Sequence, residues 1–218
     1  MRLVVFDVDG TLVDSQHHII RAMTDGFAAA GLEPPPRAEV LGIVGLSLPV
    51  AVAQLLPLAD LATQAQVVEA YRASYMQARS ERAAPLYPGA LDCLDRLAGR
   101  ADLLLAVATG KSRRGLDAVI AAHGLQGRFV SLQTADGHPS KPHPSMLIQA
   151  LAEAGCEARA ALMVGDTSFD IQMAQAAGMP GWGVTWGYHP AQALDAAGAA
   201  LIAEDFGHLT RAIEDWAS

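Results

Sequence analysis

This sequence predicts an α/β fold in which helices cover both faces of a parallel sheet and a helical segment is inserted after the first strand. Three observations favour it. Short runs rich in valine and leucine alternate with helical periodicities over most of the chain, which is typical of a parallel sheet. Residues 14–83 contain helical patterns but no convincing strand. At 218 residues the chain is long enough for one large core with a smaller insert.

The predicted strands are apolar runs of a few residues, as expected for strands buried on both faces. Four runs predict strands, at residues 3–6, 103–108, 129–132 and 161–164, of which 129–132 is the weakest, and two shorter ones predict edge strands, at 183–184 and 201–202. Apolar residues at helical spacing predict helices between them, around residues 91–97, 116–120, 147–151 and 171–174.

The stretch 14–83 predicts a separate helical cap, with residues 1–13 and 84–218 forming the α/β catalytic core. Helical patterns cover residues 19–30, 50–56 and 62–82, and three prolines at 34–36 separate the first two. Pro85 and the pair Pro88-Gly89 mark the return to the alternating pattern.

Composition excludes several classes of partner. The net charge of −8 argues against a nucleic-acid or anionic-membrane surface, because both are themselves negative. No apolar run approaches a membrane span of roughly 20 residues, and the two carboxylates near the N-terminus do not fit a signal peptide. Cys93 and Cys156 lack a C-x-x-C arrangement, which favours a reducing compartment. We therefore expect a cytoplasmic protein; the sequence leaves its oligomeric state open.

Polar residues follow the predicted strands. In Asp7-Val8-Asp9-Gly10 the two carboxylates lie two residues apart, so a strand end places them on the same side, and the glycine allows a sharp turn. Two carboxylates this close suit a divided task, in which one attacks and binds a cation while the other moves a proton. A surface turn or a helix N-cap is the alternative for this motif alone.

Three further segments strengthen the chemical interpretation. Thr109-Gly110 ends a strand and offers a hydroxyl and backbone N–H groups to an anion. Lys141 is one of only two lysines, the other being Lys111, among 15 basic residues. Asp166 and Asp170 lie one helical turn apart after another strand. Carboxylates together with substrate phosphate oxygens are the ligands that Mg²⁺ selects.

These four motifs, in this order and spacing, resemble the haloacid dehalogenase superfamily of phosphatases. The resemblance implies a Rossmann-like core with an inserted C1 cap and covers essentially the whole chain. The runs TGKSRRGLD, SKPHP, GDTSFDIQMAQAAG and WGY look most like the phosphoglycolate phosphatase branch. The implied substrate is a small phosphorylated metabolite, with 2-phosphoglycolate as the candidate. Its carboxylate would need a nearby cation such as Arg21 or Arg113.

The resemblance also implies a role for each motif residue. Asp7 would be the nucleophile that forms an aspartyl-phosphate, and Asp9 the general acid and base. Thr109, Gly110 and Lys141 would hold the transferring phosphoryl oxygens. The implied Mg²⁺ ligands are Asp7, the backbone carbonyl of Asp9, Asp166 and Asp170, the last of these as a ligand or an orienting residue.

Other functions are less well supported by the residues. Thr109-Gly110-Lys111-Ser112 looks like the end of a P-loop, but Leu105 stands where that loop needs a glycine. Gly45-Leu46-Ser47-Leu48-Pro49 lacks the second glycine of a serine-hydrolase elbow, so we expect it to shape a cap loop that faces substrate. A dehalogenase would not need Asp9. A phosphomutase resembling β-phosphoglucomutase and a non-enzymatic phospho-ligand binder remain the alternatives.

Overall fold

The computed structural model describes residues 1–218 and contains a single six-stranded parallel sheet, which confirms the predicted fold class. The strand order is β3-β2-β1-β4-β5-β6. The strands are β1 Arg2–Phe6, β2 Leu103–Thr109, β3 Ser131–Thr134, β4 Ala161–Gly165, β5 Gly181–Val184 and β6 Leu201–Ala203. Five of them end at, or one residue beyond, the predicted positions, whereas β3 begins two residues later than expected. The prediction that residues 183–184 form an edge strand is wrong, because β5 lies between β4 and β6.

Ten α-helices connect and cover the strands. They are α1 Gln16–Ala29, α2 Arg37–Gly42, α3 Leu48–Leu55, α4 Leu61–Glu81, α5 Ala90–Ala98, α6 Arg113–His123, α7 Ser145–Ala154, α8 Ser168–Ala176, α9 Ala191–Ala196 and α10 Phe206–Ala217. A short 3-10 helix, Ala158–Ala160, precedes β4. The sequence interpretation did not include α2, α9 or α10.

The central strand β1 explains why the sheet is buried on both faces. Val4 and Phe6 belong to one hydrophobic cluster, which includes residues of α5 and α10. Leu3 and Val5 point to the other face and belong to a second cluster, built with α7 and α8. All four are fully buried. The alternation follows from the two-residue period of a strand, so a continuous apolar run is what this position requires.

Residues 16–81, which contain α1–α4 and which we call the helical segment, supply all the buried members of a third hydrophobic cluster. Ile19, Met23 and Phe27 of α1 pack in it with Val67 and Val68 of α4. The division of the chain into a core and a cap, with boundaries at 13/14 and 83/84, stays a prediction. No helix in the structure is both long enough and apolar enough to span a membrane.

The strand order fixes where a ligand site can form. The chain builds β2 and β3 on one side of β1 and then β4 to β6 on the other. Such a reversal leaves a crevice beyond the carboxyl ends of the strands, where ligands of open α/β sheets bind. Asp7, Thr109 and Asp166 stand at or just beyond the carboxyl ends of β1, β2 and β4.

Candidate active site

Asp7 and Asp9 follow β1 and line the crevice at the carboxyl end of the sheet. Asp7 is only 1% exposed. Gly10 then turns the chain with a φ of +86°, a left-handed conformation that favours glycine. A side chain at Gly10 would also overlap the carboxylate of Asp166. The backbone after β1 therefore passes directly beside a carboxylate that belongs to β4.

Three buried carboxylates converge in this crevice. They belong to Asp7, Asp166 and Asp170, and one oxygen from each lies within 4.8 Å of the other two. Asp166 follows β4, and Asp170 lies in the first turn of α8. The ends of β1 and β4 and the start of α8 thus bring together Asp7, Asp166 and Asp170, although Asp7 is far from the other two in the chain.

Hydrogen bonds orient two of these carboxylates. Asp166 accepts from the Thr11 hydroxyl and from the backbone N–H of Tyr188, both at 2.9 Å. Asp170 accepts from the backbone N–H of Thr167 at 3.1 Å and from its hydroxyl at 2.7 Å, which completes a capping box at the start of α8. Both side chains are therefore held in place without a ligand.

Lys141 is the one cation inside the cluster, and its side chain is fully buried. Its Nζ lies 2.6 Å from Asp170 Oδ1 and 2.9 Å from Asp7 Oδ1. The second contact is close enough for an ion pair but is not directed as a hydrogen bond, so neither oxygen of Asp7 has a hydrogen-bond donor. Asp7 is thus the least satisfied group of the cluster.

The electrostatics reflect this crowding. Burial raises the pKa of Asp7 to about 6, with Lys141 opposing the rise and Asp170 adding to it. Burial, and then repulsion from Asp7 and Asp170, holds the pKa of Asp166 well above its usual value. Burial alone would lower the pKa of Lys141, but Asp170 and Asp7 raise it above its usual value.

The cluster fits a divalent metal ion. Three buried carboxylates face a single ammonium group, and both Asp7 oxygens are buried without a donor. Buried polar atoms are normally satisfied, and hard divalent cations such as Mg²⁺ take carboxylate oxygens as ligands. Asp9 contributes no side-chain oxygen to this group, and the predicted role of its backbone carbonyl stays a prediction.

Asp9 belongs instead to a second polar cluster. Lys111 Nζ lies 2.8 Å from each of the two Asp9 oxygens, and the Ser15 hydroxyl also donates to Asp9. The same ammonium donates to the hydroxyl of Tyr75, on α4, at 2.8 Å and lies 4.8 Å from the centre of its ring. The two lysines of the chain are therefore each paired with one carboxylate of the DVDG motif.

Thr109 and Gly110 sit where the core meets the helical segment. Thr109 is buried at the end of β2, and its hydroxyl accepts from the backbone N–H of Lys111 at 3.3 Å. A Cβ on Gly110 would lie 2.6 Å from the backbone oxygens of Gly45 and Leu46. Since backbone atoms cannot move aside as a flexible side chain can, only glycine fits this contact.

A cavity of about 380 Å³ opens above these residues, which is the size of a small-molecule site. Its floor includes Asp7, Asp9 and Thr109, and residues 43–49 of the helical segment form part of its wall. This agrees with the expectation that the loop containing Ser47 faces substrate. The Ser47 backbone N–H donates to the Ser140 hydroxyl at 2.9 Å, so the loop is in contact with the core.

The structure thus brings six of the seven predicted site residues to one crevice, as buried side chains or as cavity lining. The seventh, Asp9, also lines the cavity, but its side chain pairs with Lys111. Sequence reasoning missed Lys111 and Tyr75. The near absence of lysine was the available signal for Lys111, but no sequence signal singled out Tyr75. Arg21 and Arg113 lie outside the cavity, ion-paired to Glu81 and Asp117.

Comparison with known proteins shows consistent similarity along the chain. The family described as "Haloacid dehalogenase-like hydrolase" matches residues 4–184. A protein of Dickeya dadantii (strain 3937) named "Probable phosphatase IndB" is 36% identical over 215 residues, which cover 96% of this chain and 92% of that protein. A protein of Yersinia pestis named "Phosphoglycolate phosphatase" is 33% identical over 217 residues, covering 98% and 93%.

Solved structures give the same fold. The crystal structure of a hydrolase from Pseudomonas syringae superposes with a TM-score of 0.89 and covers all of both chains, at 22% identity. At that identity the likeness concerns the fold alone.

Proposed function

The chain belongs to the haloacid dehalogenase-like hydrolase family and is a phosphatase, and on this premise we propose that it is a Mg²⁺-dependent hydrolase of small phosphate monoesters that acts through an aspartyl-phosphate on Asp7. One observation carries the proposal. Asp7 is fully buried, faces the cavity, and has two oxygens without a hydrogen-bond donor beside Lys141 and two further carboxylates. An unsolvated carboxylate held in this way is a preorganised nucleophile.

Asp7, Asp166, Asp170 and the backbone carbonyl of Asp9 would hold the metal ion. Bound there, Mg²⁺ supplies positive charge that stabilises the phosphoryl oxygens as they are transferred. With all four carboxylates ionised, the two ammonium groups leave this crevice with an excess of two negative charges, which a divalent ion would neutralise.

Asp7 begins the reaction. One of its oxygens attacks the phosphorus in line with the ester oxygen, which leaves as the P–O bond breaks. Lys141, whose Nζ lies 2.9 Å from Asp7 Oδ1, would bind a phosphoryl oxygen, and the Thr109 hydroxyl and the Gly110 N–H, which line the cavity, would bind others. The product of this step is a mixed anhydride between Asp7 and phosphate.

Asp9 moves the protons. It gives a proton to the departing alkoxide, so the alcohol leaves neutral, and then takes a proton from the water that attacks the phosphorus of the anhydride. The second step releases inorganic phosphate and restores Asp7. The helical segment, which contacts the core through Ser47 and Ser140, limits the entry of other water to the cavity.

The proposed substrates are small phosphorylated metabolites, with 2-phosphoglycolate as the candidate. The Yersinia pestis relative carries phosphoglycolate in its name, and a cavity of about 380 Å³ accommodates a small ester and not a nucleic acid or a phosphoprotein. The cytoplasmic location expected from the sequence stays a prediction.

The test is a screen of small phosphate esters with and without Mg²⁺, using wild type and Asp7→Asn. We expect phosphate release only with the metal, and at least a thousandfold less in the variant, because each factor of ten corresponds to about 1.4 kcal/mol of barrier. If folded Asp7→Asn kept a tenth of wild-type turnover, the covalent mechanism would be wrong.

A further inference from the structure

Lys111 is a buried cation to which the proposed mechanism gives no part. Its side chain is only 7% exposed. Its Nζ contacts both oxygens of Asp9 and the Tyr75 hydroxyl, each at 2.8 Å. Desolvating an ammonium group is costly unless it is paired. The desolvated ammonium group lies on the wall of the substrate cavity, which Lys111 lines together with Asp9 and Tyr75.

The position of Lys111 can be related to the substrate through Asp9. In the proposed reaction Asp9 protonates the leaving ester oxygen, so that oxygen must come within hydrogen-bond distance of an Asp9 oxygen. Lys111 Nζ lies 2.8 Å from the same oxygens. A group attached one carbon away from the ester oxygen is therefore brought next to Lys111.

The other cations near the cavity are less suited to that position. Arg72 and Arg114 line the cavity but are exposed, and Arg72 is already paired with Glu69. Arg79 is half-buried, but its guanidinium donates to the backbone carbonyl of Arg114. Lys111, with 7% of its side chain exposed, is the cation that contacts the proposed general acid Asp9. Its compact ammonium lies between Asp9 and Tyr75, with the centre of the Tyr75 ring 4.8 Å from Nζ.

We propose that Lys111 is the specificity-determining residue of this phosphatase and binds a carboxylate one carbon from the ester oxygen, so that the preferred substrates are phosphate esters of 2-hydroxy acids. This inference rests on the proposed function, because it needs Asp9 to act at the leaving oxygen. The simplest member of the substrate class is 2-phosphoglycolate.

The hydrogen-bond capacity of Lys111 explains how it selects. An ammonium group has three donors, and Asp9 and Tyr75 already engage them. A substrate carboxylate must therefore take over a donor that Asp9 uses, which leaves an Asp9 oxygen free to face the ester oxygen. Tyr75 keeps the ammonium in place during the exchange. An uncharged ester offers no such replacement, so Lys111 stays on Asp9.

Tyr75 also ties this recognition to the helical segment. It lies on α4, and its ring stacks on Tyr71 of the same helix with a centroid distance of 5.8 Å. The second anchor of Lys111 therefore exists only while α4 contacts the core.

The experiment compares two esters of the same length. 2-Phosphoglycolate carries a carboxylate where 2-hydroxyethyl phosphate carries a hydroxymethyl group. We would measure kcat/KM for both with wild type, Lys111→Met and Arg113→Met. Arg113 is the matched control, because its side chain is ion-paired to Asp117 outside the cavity.

Wild type should prefer 2-phosphoglycolate by roughly 100-fold, since a buried charge pair is at stake. Lys111→Met should reduce this preference to about threefold or less, and Arg113→Met should leave it unchanged. The ratio of the two kcat/KM values does not depend on the fraction of folded enzyme. If Lys111→Met does not fold, Lys111→Gln provides the same measurement.

Two results would overturn the inference. An equal loss on both esters in the Lys111 variants would mean that Lys111 only positions Asp9. A wild type that prefers 2-hydroxyethyl phosphate would mean that Lys111 does not recognise a carboxylate. Turnover of that ester that depends on Asp7 would still leave the proposed function intact. If neither these esters nor p-nitrophenyl phosphate were hydrolysed with Mg²⁺, the proposed function itself would fail.

Discussion

Replacing Asp7 with asparagine is expected to stabilise the metal-free protein at neutral pH, although it removes the activity. In the folded chain Asp7 is buried, has no hydrogen-bond donor on either oxygen, and lies in a group with Asp166 and Asp170. Asparagine has nearly the same shape and carries no charge, so it resembles the protonated form of Asp7. The substitution removes an ionised group that the fold disfavours.

The magnitude follows from the pKa of Asp7, which rises from 3.8 to about 6 on folding. A shift of about two units corresponds to about 3 kcal/mol of differential stability. Because the folded pKa is raised, the ionised carboxylate costs stability above the folded pKa. The cost disappears as the pH falls from about 6 to below the unfolded value. The advantage of Asp7→Asn should therefore be about 2 to 3 kcal/mol at pH 8 and close to zero near pH 3.5.

The assay is urea denaturation of wild type and variant in excess chelator at several pH values. Asp170→Asn is the matched control in the same cluster. It should destabilise by about 1–3 kcal/mol, because Asp170 accepts bonds from Lys141 and Thr167 that a carboxamide cannot all replace. At pH 8, Asp7→Asn should melt about 5–10 °C above wild type.

The reasoning would be refuted by an Asp7→Asn protein that is less stable than wild type at pH 8 without metal. A stabilisation that is the same at every pH would also contradict it, because the effect would then not come from the charge of Asp7.

Three further predictions concern the metal, the contact between the helical segment and the core, and a helix cap. Chelation should abolish phosphate release and Mg²⁺ restore it, whereas Ca²⁺ should inhibit because its looser coordination lets both Asp7 oxygens bind; full activity in chelator would exclude the metal site. Gly110→Ala should lower kcat/KM about 100-fold by displacing the loop at Gly45. The control Gly137→Ala should have no effect, because an added Cβ there meets nothing within 4 Å. Equal activity of the two variants would contradict the close-contact argument. Asp205→Ala should lower the free energy of unfolding by about 1 kcal/mol, because Asp205 caps α10 by accepting from the His208 N–H at 2.7 Å. The control Glu204→Ala should leave the free energy of unfolding unchanged. A loss of activity in Asp205→Ala would contradict a role confined to the cap.

The sequence predicts the sheet well because its strands are apolar runs that end at polar residues. Asp7, Thr109 and Asp166 were placed together from that pattern alone, since the carboxyl ends of parallel strands meet at one edge. The predicted β3 begins two residues too early, because this edge strand has polar residues buried on it. Gln133 and Ser131 are both buried, and the Gln133 side-chain amide donates to the Ser131 hydroxyl at 2.7 Å. Hydrophobicity does not detect side chains that satisfy one another.

Two other omissions have different causes. The helix α10 has apolar residues at helical spacing, with Phe206, Leu209 and Ile213 all buried, whereas the helices predicted from the sequence end around residue 174. The pairing of Lys111 with Asp9 could not be read from the chain, because the two residues are 102 positions apart and meet only after β1 and β2 pair. The scarcity of lysine marks Lys111 as unusual but does not identify its partner.

The most direct test of the mechanism is to trap phosphate on Asp7. Wild type and Asp9→Asn would be mixed with ³²P-labelled ester and Mg²⁺, quenched in acid within milliseconds, reduced with borohydride and mapped by mass spectrometry. The account predicts a labelled acyl phosphate whose reduction converts Asp7, and no other aspartate, to homoserine. With ³²P-labelled p-nitrophenyl phosphate, whose leaving group needs no proton from Asp9, it should accumulate further in Asp9→Asn, because its hydrolysis needs the base. Product formation without any label on the protein, or label on a different residue, would contradict the central claim.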